Sequence, residues 1–134
     1  MRSLLAALLF AFTATPAIAA WEKLFEGGTV HRHVDPKTIV KDDTADGYRT
    51  ALVLSEYKLS AEQFKKTHPD GTRSMVSLME YDCKRNSARE LAFFSYTGSM
   101  GDGRLVNAGP NVADWFDATK NPAFAPVARF VCGR

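Results

Sequence analysis

The sequence predicts an α+β domain: a small antiparallel β-sheet of about five to six strands, a C-terminal α-helix packed on one face, and one disulfide. Three observations support this fold class. Short runs of alternating apolar and polar residues recur along the chain, with turn residues between them. Near the C-terminus the apolar spacing changes to that of a helix. The only two cysteines, Cys83 and Cys132, lie in these two different parts of the pattern.

The N-terminal segment has the form of a secretory signal peptide. Arg2 precedes an apolar run over residues 4–12, and Ala17-Ile18-Ala19 has the small-x-small pattern of a cleavage site. The run is too short for a membrane span, which needs about 20 apolar residues. No cysteine lies near the cleavage site, which excludes an N-terminal lipid anchor. We therefore expect a signal peptide over residues 1–19, one domain over residues 20–134, and a periplasmic or secreted location.

The charge of the chain argues against nucleic acid or membrane as its partner. The whole chain has a formal net charge of +2, and loss of Arg2 with the signal peptide lowers it to +1. Such a chain has no strong electrostatic field to attract nucleic acid or a membrane surface. An even number of cysteines in an exported domain indicates a disulfide. The alternative is two free or metal-binding thiols, although the chain contains no Cys-x-x-Cys motif.

The first half of the domain has the pattern of strands. Residues 22–26 and 29–34 predict two strands joined by a tight turn at Gly27-Gly28, and Asp35-Pro36 ends the second. Residues 38–41 form a short β-branched run. Residues 48–57 are apolar on both faces in the middle, which predicts a central strand.

A short helical turn should follow the central strand. Ser60 to Gln63 has the form of a capping box, and residues 68–71 stop the turn.

Two further strands should form a hairpin over residues 73–96. With a two-residue loop at Arg85-Asn86, Asp82 faces Arg89 and Cys83 faces Ala88. The expected core side carries Met75, Met79, Tyr81, Cys83, Ala92, Phe94 and Tyr96. A turn at residues 98–103 leads to another strand at 104–106, and Trp115-Phe116 should return to the core.

The last element predicts a helix. Phe124, Val127, Ala128 and Val131 follow the i, i+3, i+4, i+7 spacing of one helical face. Pro126 is tolerated only in the first turn, so the helix should begin near residue 123 or 124 and end at residue 132 or 133. A Cys83–Cys132 disulfide would hold this helix across the sheet.

His31 and His33 are candidate metal ligands. At i and i+2 on a strand they share one face, and imidazole binds zinc, copper or haem iron. His68 is a candidate third ligand. The alternative interpretation is two exposed histidines on an edge strand.

The sequence predicts no catalytic site and no cofactor. Met100 to Gly103 contains Gly-x-Gly, but a strand follows it instead of the helix that a phosphate site needs. Ser95, Ser99, His68 and Asp102 supply the residue types of a hydrolase without a nucleophile-elbow motif. We therefore expect a non-enzymatic protein.

A basic cluster is the candidate protein-binding site. Lys84, Arg85 and Arg89 gather at one end of the predicted hairpin. Such a cluster can hold acidic protein segments or sulfated glycans. The alternative is an ordinary solvated tip whose charges discourage edge pairing.

The order of these features resembles the surface-adhesin protein E family of exported bacterial proteins, over essentially the whole mature chain. The matching positions are Trp21, Asp35, Ile39, Glu56-Tyr57, Ser74, Asp82-Cys83, Arg89, Met100, Gly101, Gly103 and Cys132. The resemblance implies an antiparallel sheet with a C-terminal helix tied to it by the disulfide. It also implies a protein partner, such as an extracellular-matrix or envelope protein. It supplies no catalytic residues.

Overall fold

The computed structural model describes residues 19–134, which form an antiparallel sheet and two α-helices. The strands are β1 Glu22–Glu26, β2 Val30–Val34, β3 Val40–Lys41, β4 Tyr48–Tyr57, β5 Ser74–Asp82, β6 Ser87–Tyr96, β7 Leu105–Pro110 and β8 Phe116–Asp117. The helices are α1 Ala61–Thr67 and α2 Ala125–Cys132, and 3₁₀ turns cover Pro36–Thr38 and Ser99–Gly101. The predicted signal peptide lies outside the described residues except for Ala19. Within residues 19–134, no helix is long and apolar enough to cross a membrane.

The main sheet has the strand order β1-β2-β4-β5-β6-β7. The two-residue strands β3 and β8 lie off this path, with β3 paired to β4 and β8 to β6. The six strands of the path agree with the expected five to six. β4 is central, as its two apolar faces predicted, and it pairs with β2 on one side and β5 on the other.

The core lies between one face of the sheet and α2. It is built from alternate strand residues and the apolar stripe of the helix: Val34, Ala51, Val53, Met79, Tyr81, Val127, Ala128 and Val131. The helix begins at Ala125 with Pro126 in its first turn, where no intrahelical N–H is required. This confirms the predicted helix and its packing on one face. The opposite face is called the open face below.

The Cys83–Cys132 disulfide joins the turn between β5 and β6 to the last residue of α2. This confirms the predicted pairing. Burial of α2 and the cross-link act together, because the helix covers the strands whose connecting turn carries the other cysteine. The predicted capping box is also present at α1, where Ser60 and Gln63 exchange side-chain to backbone hydrogen bonds.

The hairpin turn is longer than the predicted two-residue loop. Cys83 to Asn86 form a four-residue turn, and Asp82 faces Ser87. The Asp82 carboxylate accepts hydrogen bonds from the backbone N–H groups of residues 84 and 85, and Asn86 adopts a φ of 54°. As a result, Arg89 lies opposite Glu80, and the predicted Asp82–Arg89 pair is wrong.

A bulge in β6 changes which of its side chains face the core, so the predicted core face is partly wrong. The register shifts between Leu78 and Met79, where Glu90 faces Met79 and Ala92 faces Leu78. The extra residue reverses the side-chain alternation beyond it. Phe93 therefore shares the helix side with Ser77, whereas Phe94 lies on the open face and is 38% exposed. Ala92, Phe94 and Tyr96 are consequently not on the predicted side.

Candidate functional site

His31, His33 and Glu56 come together on the open face of the sheet. The two histidines share this face because they are two residues apart on β2, as the sequence predicted. Glu56 joins them because β4 pairs antiparallel with β2 in a register that places it directly opposite His31. One potential ligand atom from each of the three residues lies within 4.8 Å of the others.

His31 lies between two carboxylates. Its Nδ1 is 3.8 Å from an oxygen of Glu56, and its Nε2 is 3.6 Å from an oxygen of Glu26. Each carboxylate is also approached by a lysine: Lys58 contacts Glu56, and Lys23 lies 3.0 Å from Glu26. The hydrogen bond from Lys23 lowers the pKa of Glu26. The cluster is therefore a small network of alternating charges around two imidazole rings.

His33 is buried without a full set of polar partners. It is 6% exposed, and among residues 19–134 its Nε2 has no hydrogen-bond partner. Burial lowers the pKa of His33, because desolvation disfavours the imidazolium. Burial thus favours the neutral ring, which is the form of histidine that binds metals. Glu56 is equally buried, at 6% exposure.

The structure places His68 elsewhere. Its ring packs against Tyr57 and Phe64 at centroid distances of 4.5 and 6.1 Å, and its Nδ1 is 2.8 Å from the hydroxyl of Thr67. Within residues 19–134, the cluster of potential metal ligands contains Glu56 in place of His68. Sequence reasoning missed Glu56 because its nearness to His31 depends on the β2–β4 register.

Lys84, Arg85 and Arg89, here called the basic tip, lie at and beside the β5–β6 turn. Lys84 lies 2.7 Å from Asp46, which raises the pKa of Lys84 and lowers that of Asp46. Arg85 approaches Asp82 at 3.9 Å, and Arg89 pairs with Glu80 at 2.8 Å. Each basic side chain therefore has an acidic neighbour, which lowers the net positive charge of the tip.

Arg89 also covers an aromatic ring on the surface. Its guanidinium lies 4.6 Å from the centroid of the Trp115 ring, and Trp115 meets Tyr48 edge-on at 5.9 Å. Trp115 is 38% exposed, so the expectation that it returns to the core is wrong, whereas Phe116 packs against the core. The basic tip thus continues into an exposed aromatic surface.

These features define a disulfide-linked antiparallel sheet with one face covered by a helix and the other partly covered by the turn between β6 and β7. The model of the family described as "Surface-adhesin protein E" matches residues 21–133. The chain belongs to the surface-adhesin protein E family. No curated protein matches the sequence.

Solved structures of protein E from Haemophilus influenzae share the fold. The selenomethionine form has a TM-score of 0.65 at 12% identity, covering 87% of this chain and 88% of that chain. A second protein E structure has a TM-score of 0.62 at 13% identity, covering 87% and 86%. Crystal form II has a TM-score of 0.58 at 13% identity, covering 81% and 90%. At these identities the similarity is one of fold.

Proposed function

We propose that the chain is an exported, non-enzymatic binding domain that attaches to another protein through the basic tip and Trp115. The partner would be a host extracellular-matrix protein or a protein of the cell envelope. The observation that carries this proposal is the stacking of Arg89 on the exposed ring of Trp115. Family membership supports the binding class, and the signal-peptide pattern supports export.

Composition favours this surface over other exposed regions. Tryptophan, tyrosine and arginine dominate the energetics of protein interfaces, and here Trp115, Tyr48 and Arg89 are in contact. The Trp115 ring is already held by Arg89 and Tyr48, so little conformational entropy is lost when a partner covers it. An aromatic side chain held in this way is a suitable anchor for a protein partner.

The basic side chains of the tip can exchange their acidic neighbours within the chain for acidic groups of a partner. The side chains of Lys84 and Asp46 are 65% and 89% exposed, and ion pairs between side chains this exposed add little to the stability of a fold. Carboxylates of a partner can therefore replace Asp46 at small cost. An acidic segment beside an apolar anchor would complement this surface.

Binding measurements test the proposal. Immobilised extracellular-matrix proteins are titrated with the wild-type protein and with a Lys84→Ala, Arg85→Ala, Arg89→Ala variant, and binding is followed by interferometry. We expect the triple variant to bind at least about tenfold more weakly, and wild-type binding to weaken with added salt. The matched control is Lys65→Ala, Lys66→Ala in α1, which follows the opposite end of β4.

Three results would count against the proposal. Equal loss in both lysine-containing variants would indicate nonspecific charge attraction. Failure of the wild-type protein to bind any matrix or envelope protein would remove the binding function but leave the fold assignment intact. Recovery of the protein only in the cytoplasm after cell fractionation would contradict export.

Binding of a metal ion or haem iron by His31 and His33 is a second candidate function. The observation that favours it is the Glu56 carboxylate, which lies 3.8 Å from His31. A carboxylate beside two imidazoles is a common ligand set for a metal ion. Glu56 therefore favours a bare ion over haem.

A further inference from the structure

We infer that His31, His33 and Glu56 bind one divalent transition-metal ion, with Zn²⁺ as the simplest case. This inference rests on the second candidate function and names its third ligand. The three residues lie on two neighbouring strands, β2 and β4, so the backbone fixes their relative positions. Sites built on strands hold ligand geometry better than sites on loops.

The distances are close to those of a bound ion. Two ligand atoms that share a tetrahedral Zn²⁺ at bonds of about 2.1 Å are about 3.4 Å apart. His31 Nδ1 and Glu56 Oε1 are separated by 3.8 Å, and the whole set lies within 4.8 Å. The three side chains would rotate towards one another on binding the ion. Three protein ligands leave the fourth position of a zinc ion open to water or another ligand.

His33 gives independent evidence for a ligand. Its side chain is more than nine-tenths buried, and its Nε2 has no hydrogen-bond partner within residues 19–134. Leaving a buried polar atom unpaired destabilises a fold, so an unpaired buried nitrogen calls for a functional explanation. A metal ion in the His31–Glu56 cluster would give this histidine a role.

Glu26 supplies a second carboxylate for orientation. It lies 3.6 Å from His31 Nε2, on the side of the ring away from Glu56. A carboxylate in this position keeps the proton on Nε2 and leaves Nδ1 free to bind the ion, as outer carboxylates do in many metal sites. Glu26 is thus a positioning residue rather than a ligand.

Two lysines balance the charges of the two carboxylates when no ion is bound. Lys58 contacts Glu56 and Lys23 contacts Glu26, and their side chains are 45% and 44% exposed. Both can turn outward into water when an ion enters. The carboxylates of Glu26 and Glu56 would then balance the two positive charges of the ion. Lys58 therefore competes with the ion for Glu56.

Isothermal titration of the untagged protein with ZnCl₂ tests the site. We expect one equivalent of Zn²⁺ to bind. His31→Gln and Glu56→Gln should each weaken binding by at least about tenfold, because even the loss of outer partners costs 10–100-fold in known sites. Lys58→Met should tighten binding several-fold, since it removes the competing ammonium. His68→Gln is the matched control and should bind as the wild type does.

The outcomes separate the hypotheses. If His31→Gln weakens binding but Glu56→Gln does not, the histidine candidate stands and the three-ligand site is wrong. If no Zn²⁺ binds, or if His31→Gln binds Zn²⁺ as tightly as wild type, the three-ligand metal site is wrong. Thermal unfolding without metal identifies any variant that fails to fold. If a ligand variant fails to fold, the test rests on Lys58→Met: tighter Zn²⁺ binding by this variant supports the site, and unchanged binding contradicts it. None of these results bears on protein binding by the basic tip.

Discussion

The buried hydroxyl of Ser74 accepts a hydrogen bond of 2.9 Å from the backbone N–H of Gly101. The same hydroxyl donates a hydrogen bond of 2.6 Å to the carbonyl oxygen of Gly98. One side chain at the start of β5 thus satisfies two backbone groups in the turn between β6 and β7. This turn packs on the open face against β4 and β5. Ser74 therefore holds the turn on the sheet.

Substitution of Ser74 should release that turn. We expect Ser74→Ala to lower the free energy of unfolding by about 1–3 kcal/mol, because two backbone groups lose their partner. Urea denaturation measures the change. Ser99→Ala makes the same substitution at an exposed position of the turn and should cost less than about 0.5 kcal/mol. Equal costs for both variants would contradict the role of Ser74.

The disulfide should account for a large part of the stability. Closing a loop with a sequence separation of 49 stabilises the folded state by roughly 4 kcal/mol in the chain-entropy description. We expect reductant to lower the unfolding temperature of the wild-type protein. The Cys83→Ser, Cys132→Ser variant should melt near the reduced wild type and should not respond to reductant. An unchanged wild-type melting temperature on confirmed reduction would contradict this prediction.

Because Tyr81 is buried, we expect the folded state to lose stability at alkaline pH. Burial raises the pKa of its phenol well above the ordinary value of 10.0. The folded state therefore keeps a proton that the unfolded state releases above about pH 10, so stability falls as pH rises beyond that value. Tyr81→Phe should remove part of this slope, whereas Tyr48→Phe at a half-buried position should retain it. Denaturation midpoints across the alkaline range give the comparison.

The same residue makes a second prediction at neutral pH. Within residues 19–134 the Tyr81 hydroxyl has no hydrogen-bond partner. Tyr81→Phe removes an unpaired buried group and keeps the ring, so it should stabilise the fold or leave it unchanged, by on the order of 1 kcal/mol. A clear loss of stability would show that the hydroxyl has a partner, such as a bound water.

Arg89 should shield Trp115 from solvent. The protein has two tryptophans, so a Trp21→Phe background makes the emission report on Trp115 alone. In that background we expect Arg89→Ala to shift the emission to longer wavelength and to increase quenching by acrylamide. Arg85→Ala removes a neighbouring charge and serves as the control. Identical quenching in the two variants would argue against the stacked pair seen at 4.6 Å.

Local patterns in the sequence were sufficient for much of the fold. The apolar stripe of Phe124 to Val131 predicted α2, the cysteine count predicted the disulfide, and Ser60 with Gln63 predicted the start of α1. These features depend on residues close in sequence or on composition, which a single sequence displays directly.

Features set by register were not predictable in this way. The four-residue turn depends on the Asp82 side chain, and the reversed face beyond it depends on the bulge near Leu78. Alternation alone cannot detect an extra residue in a strand that is apolar on both faces. The meeting of His31 with Glu56 likewise depends on pairing between strands distant in sequence. For the candidate site, two of the three clustered residues were therefore recognised.

Because of the Cys83–Cys132 disulfide, the lifetime of the protein depends on the cellular compartment in which it resides. A loss of roughly 4 kcal/mol raises the unfolded population about a thousandfold, and unfolded chains are the substrates of cellular proteases. Molecules retained among cytoplasmic reductants would be degraded faster than those that reach an oxidising space. The cross-link thus connects protein lifetime to successful export.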